Sequence, residues 1–214
     1  MTTLTPSVLV NVPTHMTIEE FDRYSTLAEN VDRRLEWHDG EIIEMVSTDK
    51  SSNVAYLLGT RLNDFISERR LGFMTGADGG YIVNGSRYIP DGAYIRTERK
   101  VAARTVNGYT SVAPDLAIEA ISPTDKPRQI TKKLQNYMAA GTVVWLVDPE
   151  DYTIDVYTPG SAVRSLTLEN NDMLDGGALL PGFSVALTDI FAQLILLAEA
   201  SESSGVSSAD ASSE

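Results

Sequence analysis

Three side chains have the types and the order needed to act on a phosphate-bearing substrate: Asp91, Glu119 and Lys133. Glu119 is the lone carboxylate in the apolar run Leu116–Ile121, whose pattern reads as a buried strand. A carboxylate there costs free energy unless something binds it. Asp91 follows Pro90 inside Arg87–Arg96, a second expected strand. If these two strands pair, one place can hold both carboxylates. Two oxygen ligands, with backbone carbonyls and water, suit magnesium, which keeps several waters and pairs with phosphate oxygens. Such an ion lowers the pKa of a water and neutralises charge developing on phosphate. A lysine is the expected third member, and Lys132 and Lys133 are adjacent candidates. Helix periodicity separates them. Lys133 lies three residues after Ile130 and four before Tyr137, bordering the apolar face of Ile130, Leu134, Tyr137 and Met138. Lys132 aligns with Gln129, Gln135 and Asn136, which reads as solvent, so Lys133 is chosen.

Each residue also has a plainer reading. Asp91 could be a turn acid, Lys133 a solvated helix lysine, and Glu119 the partner of a buried arginine such as Arg34 or Arg61. The three together are more informative than any one. His38, beside the Asp39-Gly40 turn, reads as an exposed hairpin residue, and His15 as part of a loose arm. Glu36, Glu41 and Glu44 read as a polar face, from which one acid could approach the site. Tyr137 and Trp145 read as core, and Ser122-Pro123 as turn chemistry.

The elements that must position these residues follow in order. Residues 1–15 are expected to form an N-terminal arm. Thr17 and Glu20 have capping-box spacing for a helix to about Ala28. Arg34–Trp37 and Glu41–Val46 make a hairpin about Asp39-Gly40. Val54, Leu57, Leu58, Leu62, Phe65 and Ile66 repeat at helical spacing, with Gly72 as the stop. Phe73–Val83 and Arg87–Arg96 read as strands, the interior proline suggesting an edge, bulge or strand start. Thr97–Val112 reads as a polar, basic connection. Then come a strand at Asp115–Ile121, a helix at Lys126–Ala140 closed by Gly141, and a strand at Thr142–Val147. An added hairpin about Pro159-Gly160, a short apolar segment at Leu179–Val185 and a helix at Leu187–Ala198 complete the domain, expected over 16–198. Residues 199–214 are an acidic, Ser/Ala-rich tail expected to be disordered. The core order is αβββαβ, an α/β fold with a mixed sheet flanked by helices.

Composition sets limits. No cysteine is present, which excludes disulfides, thiolate zinc sites and cysteine nucleophiles. Two histidines argue against a multi-histidine metal site or a Ser-His-Asp scheme. No signal peptide is evident and no apolar run approaches a membrane span, so no membrane partner and a cytoplasmic location are expected. The net charge of −13 is unlike the usual basic footprint of a nucleic-acid binder. Local basic segments, Arg96–Arg104 and Lys126–Lys133, still permit a polyanionic substrate.

Three pieces, RLEWHDGEIIEM, RYIPDGAYI, and PDLAIEAISP followed by K-x-x-x-Y-x-x-x-G and VVWLVDP, resemble the Uma-two family of restriction-endonuclease-like proteins. That family belongs to the PD-(D/E)XK nuclease superfamily, and the resemblance runs from about Met16 to Phe191. It implies a restriction-endonuclease-like core and a Mg2+-dependent (Mn2+ also suitable) endonuclease. Asp91 and Glu119 would be metal ligands, helped by the Ala120 carbonyl, and Lys133 the catalytic cation. The superfamily lysine normally stands two residues after the glutamate. Here that position is Ile121, and Lys133 on the following helix takes its place. The family often has a histidine where Asn53 stands and an aspartate where Gln129 stands. The implied partners are DNA and, as in related nucleases acting on duplexes, a second copy of the chain. The rival reading is a catalytically inactive nuclease-fold binding or interaction module.

Overall fold

The computed structural model describes residues 13–209. Residues 1–12 of the expected arm and 210–214 of the expected tail lie outside them. The elements are α1 (Ile18–Tyr24), β1 (Leu35–His38), β2 (Glu41–Glu44), α2 (Asp49–Arg69), β3 (Gly72–Thr75), β4 (Gly80–Val83), β5 (Ser86–Tyr88) and β6 (Gly92–Arg96). After these come α3 (Thr97–Ala102), β7 (Thr105–Val106), β8 (Tyr109–Thr110), β9 (Leu116–Ala120), α4 (Pro127–Ala139) and β10 (Val143–Asp148). The chain ends with β11 (Thr153–Tyr157), β12 (Arg164–Thr167), β13 (Met173–Asp175), β14 (Ser184–Ala186), α5 (Leu187–Ile190) and α6 (Ala192–Ala209).

The central sheet has the order β12-β11-β10-β9-β6-β3. Its one parallel pair, β9 with β10, is joined by α4, while the other neighbours are antiparallel. Alternation along β9 divides the core. Leu116, Ile118 and Ala120 face the cluster under α2, built with Val54, Leu58, Leu62 and Ile66. Ala117 faces the opposite cluster with Tyr81, Tyr88, Ala93 and Tyr137. Each fully buried large aliphatic contributes about 1.5–3 kcal/mol, so α2 is fastened mainly by that stripe.

Two expected strands are each divided between sheets. Phe73–Val83 becomes β3 and β4, broken by a turn in which the Gly79 N–H donates to the Gly76 carbonyl. Arg87–Arg96 becomes β5 and β6, broken at Pro90-Asp91, because proline has no N–H to continue the ladder. The excursion β4-β5 joins β1 and β2 in a second sheet, ordered β2-β1-β5-β4-β8-β7. Leaving that excursion aside, α2-β3-β6-β9-α4-β10 reproduces the expected αβββαβ order. The connection expected at Thr97–Val112 instead holds α3, β7 and β8. α2 begins earlier than its apolar pattern, at Asp49, because Thr48 caps it. The last helical region runs on to Ala209, beyond the expected end at Ala198.

Candidate active site

β1 supplies the first side of the site. Its period-two alternation turns Leu35 toward the α1 cluster and Glu36 and His38 the other way. The β1-β2 turn places Asp39 at φ 49° and Gly40 at φ 101°, the conformation that Asp-Gly favours. The hairpin rests on α4: Gln129 Nε2 donates to Glu41 Oε1 at 2.9 Å, and Lys132 Nζ pairs with Asp39 Oδ2 at 2.9 Å.

α4 supplies the second side. Pro127 occupies its first turn. Its end is a Schellman motif, in which Thr142 N–H donates to the Tyr137 carbonyl and Gly141 N–H to that of Met138. Thr142 Oγ1 also donates to the Pro114 carbonyl at 2.7 Å, tying this end to the start of β9. Ile130, Lys133, Leu134 and Tyr137 therefore present one face to a cleft that Asp91, Glu119, Glu36 and His38 also line.

Lys133 is buried between two carboxylates. Its Nζ lies 2.8 Å from Glu119 Oε2 and 2.9 Å from Glu36 Oε1. Tyr137 donates its hydroxyl to Glu119 Oε1 at 2.8 Å. Glu36 is fully buried and has two further partners: Ile89 N–H donates to Oε1 at 2.6 Å, and His38 Nε2 lies 2.7 Å from Oε2. Asp91 immediately precedes Gly92, whose register partner is Ile118, so it lies across from Glu119. Asp91 Oδ2 accepts from Ala120 N–H at 2.9 Å, and Oδ1 lies 3.7 Å from Arg34 Nη2.

The charges are unequal. One ammonium serves two carboxylates, with Asp91 close by. Burial first, then repulsion from Glu36 and Asp91, pushes Glu119 up to about 8 despite Lys133. Burial alone would raise Glu36 too, but Lys133, His38 and the Ile89 N–H hold it down to about 2. Burial raises Asp91, offset in part by the Ala120 N–H and by Lys133. For Lys133, the two carboxylates outweigh burial, so it stays protonated.

Asp91, Glu119 and Lys133 thus meet at one cleft. Glu119 pairs with Lys133; Arg34 stands beside Asp91 instead, and Arg61 is exposed. His38, expected to be exposed, is 3 % exposed, because its side of β1 is covered by Tyr88, whose ring it meets edge-on at 4.6 Å. Glu36 is the hairpin acid that reaches the cluster, whereas Glu44 pairs with Arg33 outside it. Tyr137 is core, as expected, but its hydroxyl belongs to the site. The period-two pattern of Leu35-Glu36-Trp37-His38 was the available signal for Glu36 and His38. Position four residues after Lys133 was the signal for Tyr137.

Among the described residues, no group of three or more His, Cys, Asp or Glu side chains is placed to hold a metal ion. Asp91 and Glu119 nonetheless supply hard oxygen donors whose ionised forms burial disfavours, and a cation would relieve that penalty. Two carboxylates completed by a backbone carbonyl and water form a donor set that fits Mg2+ or Mn2+.

The mixed sheet between helices is a nuclease-like fold. A solved structure described as a "putative nuclease belonging to DUF820 from Anabaena variabilis ATCC 29413" matches with a TM-score of 0.64 and 22% identity, over 74% of this chain and 89% of that one. The family model Uma2, described as "Putative restriction endonuclease", matches residues 18–188, and the chain belongs to that family. No curated protein matches it.

Proposed function

We propose that the protein is a metal-dependent phosphodiester hydrolase acting on nucleic acid, with DNA as substrate. The family and the nuclease-like fold support the hydrolase reading. The observation that carries it is the buried Lys133 ammonium 2.8 Å from Glu119, in a cleft that Asp91 also lines.

Asp91 and Glu119, helped by the Ala120 carbonyl, would hold Mg2+ or Mn2+. When bound, the cation supplies charge neutralisation at phosphate and a lowered water pKa. The remaining work falls to the chain. Lys133 stays charged, so it acts as a hydrogen-bond donor that orients the attacking water or stabilises a phosphate oxygen, not as a base. Tyr137 fixes the Glu119 carboxylate through Oε1. A homodimer would present one cleft to each strand of a duplex, and sedimentation with and without DNA tests that arrangement.

The direct test is cleavage of plasmid and oligonucleotide substrates with Mg2+ or Mn2+. Lys133→Ala and Asp91→Asn are each expected to lower the rate roughly 10²-fold or more, and chelation to abolish it. If wild type cleaves no faster than Lys133→Ala across duplex, single-stranded and RNA substrates, hydrolysis is ruled out. Salt-dependent binding without cleavage would then favour the inactive binding module.

A further inference from the structure

Glu36 stands outside the acid-acid-lysine set, yet it is the most buried and most fully bonded carboxylate of the cleft. Its Oε1 accepts from Lys133 Nζ at 2.9 Å and from Ile89 N–H at 2.6 Å, and its Oε2 meets His38 Nε2 at 2.7 Å. Three donors from three elements (β1, the β5–β6 connection and α4) fix this carboxylate. A group held that firmly is suited to anchor something else.

What it anchors is Lys133, and the second partner of Lys133 is Glu119. Both oxygens of Glu119 are engaged, one by Lys133 and one by Tyr137. A cation binding at Glu119 Oε2 must therefore share or displace the ammonium, whereas at Oε1 it would meet the Tyr137 hydroxyl. If Lys133 had no other partner, displacement would leave a buried, unpaired charge, which is strongly unfavourable. Glu36 removes that penalty, because the ammonium keeps one ion pair whichever way Glu119 turns.

We propose that Glu36 is a positioning residue that holds Lys133 in place while Glu119 exchanges the ammonium for a divalent cation, and that His38 locks Glu36 for this task. The proposal rests on Asp91 and Glu119 being the cation ligands. His38 is suited to the role: it is buried against Tyr88, and its Nδ1 has no partner among the described residues, so the ring's one hydrogen bond among them is to Glu36.

Mn2+ binding by calorimetry, without nucleic acid, tests the idea through a double-mutant cycle. Glu36→Gln is expected to weaken Mn2+ binding roughly tenfold or more, because Lys133 then pairs with Glu119 alone. In a Lys133→Met background the same change is expected to weaken it less than about threefold, since no ammonium remains to be held away. An equal loss in both backgrounds would mean that Glu36 acts only as a distant negative charge, and the proposal fails. His38→Leu covers the case in which Lys133→Met does not fold. It removes no negative charge, so a purely electrostatic role for Glu36 leaves Mn2+ binding unchanged or tighter, whereas positioning through His38 weakens it. Unchanged or tighter binding overturns the proposal. Wild type that binds no Mn2+ overturns the metal-site reading itself, a different result from either failure above.

Discussion

At the scale of single residues, the cluster should write its charge imbalance into stability. Glu119 has its pKa raised from an ordinary 4.5 to about 8. A carboxyl raised on folding stabilises fully below its unfolded pKa, and that contribution fades as pH climbs through the folded value. Glu36, held at about 2, behaves oppositely: its contribution is present above 4.5 and is lost as pH falls toward 2. Thermal unfolding should therefore show Tm falling between pH 5 and pH 8, with a smaller fall in Glu119→Gln. Mg2+ should raise the wild-type Tm more at pH 8 than at pH 5, because protons and metal compete for the same carboxylates. A Tm that is flat over this range and indifferent to Mg2+ would contradict the assignment of Glu119.

At the scale of elements, the site depends on how closely strands and turns are set. Gly72 begins β3 against β6, where an added Cβ would lie 2.2 Å from the Ile95 carbonyl oxygen. Gly72→Ala must push the strands apart, and a loss of roughly 1–3 kcal/mol in denaturant unfolding is expected. Gly40 differs, because a Cβ there meets only the Met16 carbonyl at 3.9 Å and the obstacle is its φ of 101°. Gly40→Ala should cost about 1–2 kcal/mol through backbone strain. It should also loosen the hairpin that carries Glu36 and His38, so Lys133-dependent cleavage should fall further than stability alone predicts. Gly72→Ala, remote from that hairpin, should reduce cleavage only as it reduces the folded fraction.

At the scale of the whole molecule, the net charge of −13 governs approach to a polyanion. Of the basic segment on α4 and its lead-in, Lys133 is buried between carboxylates and Lys132 pairs with Asp39, leaving Lys126 and Arg128 exposed near the cleft. In the other segment, Arg99 pairs with Asp115 at 2.9 Å. Few cations remain to meet phosphates, so duplex binding should be weak and should require a divalent ion. Its log affinity should fall with log salt at a slope of roughly −2 to −3, from two or three neutralised phosphates. Fluorescence anisotropy over a salt series measures this, and a slope near −10 would require a basic surface that the described residues lack. None of their helices is long and apolar enough to cross a membrane.

Whatever depends on local periodicity could be read along the chain. One acid in an apolar run marked β9 and Glu119, helical spacing chose Lys133 over Lys132, and Asp-Gly fixed the β1-β2 turn. Each is legible because residues at a fixed short spacing, two apart in a strand and three or four apart in a helix, share one face. The order αβββαβ was equally legible, since strand and helix patterns alternate at short range. Where the chain leaves one sheet for another depends on long-range pairing. Pro90 announced a break, but its lack of an N–H does not say which strands the two halves will join. The same pairing of β5 with β1 brought Glu36 and His38, more than ninety residues before Lys133, under cover of Tyr88. An alternating strand has two faces, and sequence does not reveal which one meets solvent until another element covers the other. Burial then turned a polar hairpin face into the second anchor of the site's lysine.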